Sequence, residues 1–248
     1  MPSKNLNPKT WSVYFVTDRT SSASGNILQD VLEVARAGIP VIQYREKELP
    51  YSEKLKQAQS IKKICDRFGT VFVVNDDINL AIAVKADAIH VGQTDLLIAQ
   101  VRERLRKAKL KMIIGVSVSN PRELKKALAE KPDYLGVGSI FRTKTKKDAG
   151  QPVGLTFLQH VSRTTRLPVI AIGGIKTNNL SAVLKAGAHG AAMISEISSS
   201  PNLFLRVQQL LHLAKKVNAQ KQRPRKPIPR LKKLIKPKPR IKPSFHRK

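Results

Sequence analysis

The stretch Gly136-Val-Gly-Ser-Ile-Phe-Arg-Thr-Lys-Thr-Lys-Lys-Asp148 sets the pattern for the whole chain. An apolar run, Tyr134–Val137, ends in glycine and opens into a loop crowded with hydroxyls and ammonium groups. Glycine lets a backbone bend tightly or approach a ligand closely. Thr143, Lys144, Thr145, Lys146 and Lys147 follow within five residues and supply the small donors and flexible cations that a phosphorylated ligand needs. Taken alone, the stretch also reads as a solvated basic loop. Its neighbours decide between the two.

The same grammar recurs along the chain: a short apolar run, a polar or glycine-rich end, then a helical pattern. Runs at Trp11–Thr17, Ile39–Tyr44, Val71–Val74, Ala88–Val91, Met112–Val116, Tyr134–Val137, Val169–Ile172 and Ala191–Ile194 read as strands. Helical patterns follow at Ile27–Ala37, Ser52–Phe68, Asn79–Val84, Leu96–Ala108, Pro121–Glu130, Leu155–Arg163, Asn178–Ala186 and Asn202–Asn218. Ser52 is a candidate N-cap, Gly38 stops the first helix, and Pro121 suits a first helical turn. The strands are apolar throughout rather than alternating, as strands buried on both faces are. Strict βα alternation implies a parallel sheet, and eight units imply a closed (β/α)8 barrel, the TIM-barrel form of the α/β class, rather than an open doubly wound sheet.

A barrel places its chemistry at the C-terminal ends of its strands. Those positions hold Asp18 and Arg19; Gln43, Arg45, Glu46 and Lys47; Asn75, Asp76 and Asp77; His90, Gln93 and Asp95; Ser117 and Ser119; the Thr/Lys loop; Gly173-Gly174; and Ser195. Asp76 and Asp95 follow adjacent strands. Two carboxylates with ligand oxygens and waters suit one Mg²⁺ shared with a phosphate. The alternative is that each caps the next helix, since Asp76 and Asp77 both precede Asn79–Val84. Arg45 and Lys47 alternate past the second strand and can face one side, and Lys146 is a third cation from across the mouth. Three cations and Mg²⁺ would roughly balance a pyrophosphate; a local surface ion-pair cluster is the plainer reading of Arg45–Glu46–Lys47. Gly173-Gly174 and Ile194-Ser195 suit a second anion, held by backbone N–H groups. His90 reads equally as a ligand donor or base and as a hydrogen-bonded structural residue. Zinc-type His/Cys spacing and a G-x-S-x-G elbow are both missing from the sequence.

The 248-residue chain carries a formal net charge of +29. Residues 219–248 hold eight Lys, five Arg, six Pro and no acid, so they read as a disordered or extended tail after a barrel spanning 11–218 and an N-terminal extension over 1–10. The tail is expected to contact nucleic acid or another polyanion through its Lys and Arg side chains, with phosphate backbone rather than stacked bases as the target if RNA is bound, against the alternative of a solvated extension. Cys65 is the single cysteine, which excludes an internal disulfide and fits a reducing, cytoplasmic setting; within its helix it reads as a buried structural thiol. Residues 1–10 lack the apolar stretch of a signal peptide, and no apolar run is long enough to span a membrane.

With these positions in hand, the chain resembles the thiamine-phosphate synthase family, also called thiamine-phosphate pyrophosphorylase. The resemblance is carried by Gln43-Tyr-Arg-Glu-Lys47, Asn75-Asp-Asp77, His90-Val-Gly-Gln-Thr-Asp95, Gly115-Val-Ser117, Thr143-Lys-Thr-Lys-Lys-Asp148, Gly173-Gly-Ile175 and Met193-Ile-Ser195, in order on successive strand ends. It covers roughly 13–213. It implies a Mg²⁺-dependent transferase that joins 4-amino-2-methyl-5-hydroxymethylpyrimidine pyrophosphate to thiazole phosphate, giving thiamine phosphate and pyrophosphate by dissociative substitution. By position, it assigns Gln43, Tyr44, Arg45, Glu46, Lys47, Asn75, Ser117 and Lys146 to the pyrimidine pyrophosphate. Thr143, Lys144, Thr145, Gly174, Ile194 and Ser195 fall to the thiazole phosphate, Asp76 and Asp95 to one Mg²⁺, and Arg45, Lys47 and Lys146 to stabilising the leaving pyrophosphate. Small-molecule substrates are implied, and a homo-oligomer is allowed. Ser139 and Arg142 depart from the prolines of a G-P-I-F-P-T pattern. Two competing readings are a thiazole tautomerase-like barrel without the Mg²⁺–pyrophosphate task and a basic nucleic-acid-binding protein acting through its tail; the intact strand-end set favours the synthase.

Overall fold

The computed structural model describes residues 2–222 apart from 94, 144 and 146–149. Eight parallel strands close into a barrel in sequence order: β1 (Val13–Val16), β2 (Val41–Tyr44), β3 (Val71–Asn75), β4 (Ala88–Val91), β5 (Ile113–Val118), β6 (Tyr134–Val137), β7 (Val169–Ile172) and β8 (Gly190–Met193). The circle closes where Tyr14 of β1 pairs with Val41 on one side and Ala192 on the other. Helices α1 (Ile27–Arg36), α2 (Tyr51–Phe68), α3 (Ile78–Ala83), α4 (Ile98–Lys107), α5 (Pro121–Glu130), α6 (Gly154–Thr164), α7 (Thr177–Lys185), the short α8 (Ser195–Ser198) and α9 (Leu203–Gln222) alternate with them.

The strands are apolar on both faces because they feed two cores. The larger lies between strands and helices and takes residues such as Phe15, Ile42, Phe72, Ile89 and Leu135. The smaller fills the barrel with Trp11, Tyr14, Val16, Val41, Val71, Val73, Ala88, Tyr134, Ile170 and Ala192. Burial of each large aliphatic or aromatic side chain contributes about 1.5–3 kcal/mol. Trp11 closes the N-terminal end of the barrel: it is fully buried, its Nε1–H donates to Asn5 O at 3.1 Å, and its ring meets those of Tyr14 and Tyr134 edge-on. Gly190 is required beneath it, because a Cβ there would lie 1.8 Å from Trp11 O.

Local signals set most boundaries. Asn26 caps α1 by accepting from Leu28 N and Gln29 N, and Asn120 caps α5 with Pro121 in the first turn. Gly69, with φ 70°, ends α2 in the left-handed conformation. Two expectations change. Ser52 caps nothing: α2 begins one residue earlier, at Tyr51, after Pro50, whose fixed φ starts the helix without a side-chain cap. The last helix runs on to Gln222, so residues 219–222 are helix rather than tail. It packs Val207, Leu210, Ala214 and Val217 into the core, and Lys221 Nζ anchors the last turn on Ala188 O at 3.1 Å. The helical turn Ser195–Ser198 was hidden by its brevity. Residues 223–248, the rest of the expected tail, lie outside the described residues. Among the described residues, no helix is long and apolar enough to cross a membrane.

Candidate active site

A cavity of about 400 Å³ opens at the C-terminal ends of the strands. Gln43, Arg45, Lys47, Asn75, Asp76, Asp95, Ser117, Thr143, Thr145, Gly174, Ile194 and Ser195 all line it. Lys144 and Lys146 lie outside the described residues. Tyr44 and Glu46 do not line it, and strand alternation explains why: Gln43 and Arg45 face the barrel axis, so their neighbours face away. Tyr44 OH donates to Gln57 Oε1 on α2 at 2.8 Å. The Glu46 carboxylate is buried, accepts from Glu48 N at 2.8 Å and lies 3.6 Å from Arg19 Nε. Both side chains support the β2 loop from behind.

The floor of the cavity is a chain of hydrogen bonds across the barrel. Gln43 Nε2 donates to Tyr14 OH at 2.8 Å, and Tyr14 OH lies 3.2 Å from Tyr134 OH. Tyr134 OH is 3.0 Å from His90 Nδ1, and His90 Nε2 is 3.0 Å from Ser117 Oγ. Five strands thus contribute one polar group each. Burial raises the pKa of both tyrosines well above its ordinary value, so both stay protonated. Glycines make the room: a Cβ on Gly115 would lie 2.1 Å from the Tyr134 ring and 2.6 Å from His90 Nδ1, and one on Gly136 2.7 Å from His90 Cε1. The sequence had no local sign of this chain, because its links join residues up to 120 positions apart.

The acids gather on the β3–β4 side. Asp76 stands in the left-handed region at φ 60°, and its N–H donates to His90 O at 2.8 Å. Its Oδ2 receives Lys47 Nζ at 2.7 Å. Asp95 is folded back so that its Oδ2 accepts from Gly92 N at 2.7 Å. The two carboxyls are close enough to perturb each other. Burial pushes both upward; for Asp76 the Lys47 ammonium and the neighbouring Asp95 carboxyl prevail and hold it below its ordinary value, while Asp95, facing the Asp76 charge, is held above. Capping falls to neither. Asp77 caps α3 by accepting from Leu80 N at 2.9 Å. Arg45, the second cation here, has Nη1 3.8 Å from Asp18 Oδ1, and its backbone N–H donates to Thr17 Oγ1.

On the β6–β8 side the loop after β6 is laid directly on the loop after β7. Ile140 N donates to Ile172 O at 2.9 Å and Phe141 N to Gly173 O at 3.0 Å. Gly174, at φ 63°, is packed so closely that a Cβ would sit 2.7 Å from Arg142 O. Thr145 N donates to Thr143 Oγ1 at 3.3 Å. Lys176 also lines the cavity and is exposed. Its place directly after Gly173-Gly174-Ile175 is the sequence signal for it. Together the site offers a cationic and acidic wall, a hydrogen-bonding floor, and a wall of backbone amides and threonines. Among the described residues, no group of three or more His, Cys, Asp or Glu is arranged for a metal.

Comparison with known proteins places this arrangement. A family model described as thiamine monophosphate synthase matches residues 13–197. The thiamine-phosphate synthase of Lawsonia intracellularis is 40% identical over 210 residues, covering 85% of this chain and 94% of that protein. That of Pelotomaculum thermopropionicum is 40% identical over 198 residues, covering 80% and 89%. Among solved structures, thiamine phosphate pyrophosphorylase from Pyrococcus furiosus superposes with a TM-score of 0.78 at 31% identity, over 86% of this chain and 99% of that one.

Proposed function

The chain belongs to the thiamine monophosphate synthase family, a family of transferases, and from that premise we propose the reaction its site performs. The substrates are 4-amino-2-methyl-5-hydroxymethylpyrimidine pyrophosphate and thiazole phosphate. The thiazole nitrogen forms a bond to the exocyclic methylene carbon of the pyrimidine. The C–O bond to pyrophosphate breaks, and pyrophosphate leaves with the electron pair. The observation that carries this reading is the meeting of Arg45, Lys47, Asp76 and Asp95 on one cavity with the Gly174 and Ser195 loops.

The residues divide the work. Arg45 and Lys47 are fixed cations placed to stabilise the charge that grows on the leaving pyrophosphate, with Lys146 as their partner from the β6 loop. Gln43 and Ser117, held by the hydrogen-bonded floor, and Asn75 orient the aminopyrimidine, whose amino group spreads the positive charge left on the methylene carbon. Thr143, Thr145, Gly174, Ile194 and Ser195 hold the second phosphate so that the thiazole nitrogen lies against that carbon, and proximity supplies much of the rate. The Asp76–Asp95 pair fits one Mg²⁺: two carboxylates lining one cavity that admits phosphate oxygens are a usual Mg²⁺ donor set. Bound there, the ion would act as a Lewis acid toward the pyrophosphate. The test is Asp76→Asn, which removes the charge and keeps the shape. Turnover should collapse with the fold intact; near-normal Mg²⁺-dependent activity in that variant would overturn the assignment.

A further inference from the structure

The two loops assigned above to the thiazole phosphate come from different strands, and the β7–β8 ladder has ended before either begins, at Ile172 paired with Ala192. Something else must fix their spacing. Behind the cavity, Glu196 of α8 is the node. Its Oε1 accepts from Thr177 Oγ1 at 2.6 Å and from Thr177 N at 3.2 Å, the first residue of α7. Arg206 of α9 forks across both: its Nη1 donates to Thr177 Oγ1 at 3.0 Å and to Glu196 Oε1 at 3.2 Å. The Thr177 hydroxyl therefore gives its proton to the carboxylate and accepts from the guanidinium. Thr177 follows Lys176 in the β7 loop, and Glu196 follows Ser195 in the β8 loop. None of the three side chains lines the cavity. Both charges are sheltered, with side-chain exposures of 31% and 15% for Arg206 and Glu196. Arg206 Nε is buried with no partner, so the guanidinium serves this junction through Nη1.

We propose that Thr177, Glu196 and Arg206 are positioning residues that clamp the β7 and β8 loops at the separation that binds thiazole phosphate. This deepens the functional reading and rests on it. The clamp acts on one substrate, because the pyrimidine pyrophosphate side is built from β2 to β5 with Lys146 of the β6 loop, and the clamp's hydrogen bonds join only α7, α8 and α9. It also makes α9 part of the site's support although no residue of α9 reaches the ligand.

The experiment measures KM for each substrate separately in the full-length protein, with Thr177→Val, Thr177→Ser and Arg206→Gln beside the wild type. Thr177→Val keeps the shape and removes the hydroxyl; its KM for thiazole phosphate should rise about tenfold, the lower end for loss of an outer support, with KM for the pyrimidine pyrophosphate within about twofold. Arg206→Gln should show the same split, and Thr177→Ser should return to wild-type values. Equal changes in both KM values, or no change in either, would overturn the clamp. If Arg206→Gln does not fold, the Thr177 pair decides alone. A wild type that forms no thiamine phosphate would overturn the functional reading and the clamp with it; an active wild type without the split overturns only the clamp.

Discussion

Lys47 Nζ stands 2.7 Å from Asp76 Oδ2, across the ends of two neighbouring strands at the cavity mouth. A lysine so placed holds the carboxylate charged and still presents its ammonium to a ligand. Lys47→Met should lower kcat about 100-fold, the scale of removing one fixed charge from a developing anion. Steady-state kinetics would check this. A change confined to KM would mean that Lys47 binds ground state and transition state equally.

The hydrogen-bonded floor makes a separate prediction. Tyr134→Phe removes the hydroxyl that joins Tyr14 to His90. The loss should be about 1 kcal/mol of stability, read from urea unfolding. KM for the pyrimidine pyrophosphate should rise more than KM for the thiazole phosphate. A variant with unchanged stability and kinetics would show that the floor is ordered without this link.

At the opposite end of the barrel, Lys4 Nζ reaches Asp66 at 2.7 Å and Asp87 at 2.5 Å, with its side chain only 13% exposed. Asp87 Oδ2 also accepts from Phe72 N, so the N-terminal segment is tied to the start of β3. Breaking a buried pair costs about 3–5 kcal/mol; the partial exposure here brings Lys4→Met to about 2 kcal/mol. Burial pulls Lys4 down, but the two carboxylates prevail and raise it; burial pushes Asp66 up, but Lys4 and Lys62 prevail and lower it. The Asp66 contribution is therefore full above the ordinary carboxylate range and is lost as pH falls through the lowered folded value. Denaturation midpoints should separate variant from wild type at pH 7 and converge at low pH. A constant gap down to pH 2 would contradict the pairing.

His189 gives a second pH signal. Burial, reinforced by Lys9 and Lys221, holds its pKa below 6.5, and its Nδ1 accepts from Val169 N at 3.1 Å. The unfolded chain takes up this proton near pH 6.5 while the folded one does not. Stability from His189 is therefore full above pH 6.5 and declines as pH falls toward the folded value. His189→Gln should flatten the fall in melting temperature between pH 7 and pH 5. An equally steep fall in the variant would assign it elsewhere.

Much of this was legible because a parallel barrel writes itself in short apolar runs. Ala88–Val91, Tyr134–Val137 and Val169–Ile172 are bounded by polar, proline or glycine residues and end in the structure where the sequence ends them. The strand ends likewise advertised Arg45, Asn75, Asp76, Asp95 and Ser117. What the sequence hid was direction and distance. Tyr44 and Glu46 sit within the same motif as Gln43 and Arg45, yet alternation turns them outward. Tyr14 and Tyr134 read as core aromatics, and only closure of the barrel brings their hydroxyls together. The Glu196–Thr177–Arg206 junction is assembled from three helices, so it has no sequence spacing to find.

The most direct test of the central claim is formation of thiamine phosphate from the two precursors, with Mg²⁺ and with EDTA, on the full chain and on a 1–222 truncation. Residue 222 ends α9, whose last turn is anchored on Ala188 O just ahead of β8, at the end of the barrel away from the cavity. The account predicts Mg²⁺-dependent product from both proteins at rates within about twofold, and none with EDTA. A folded protein that gives no product from either form, or product indifferent to EDTA, would contradict it.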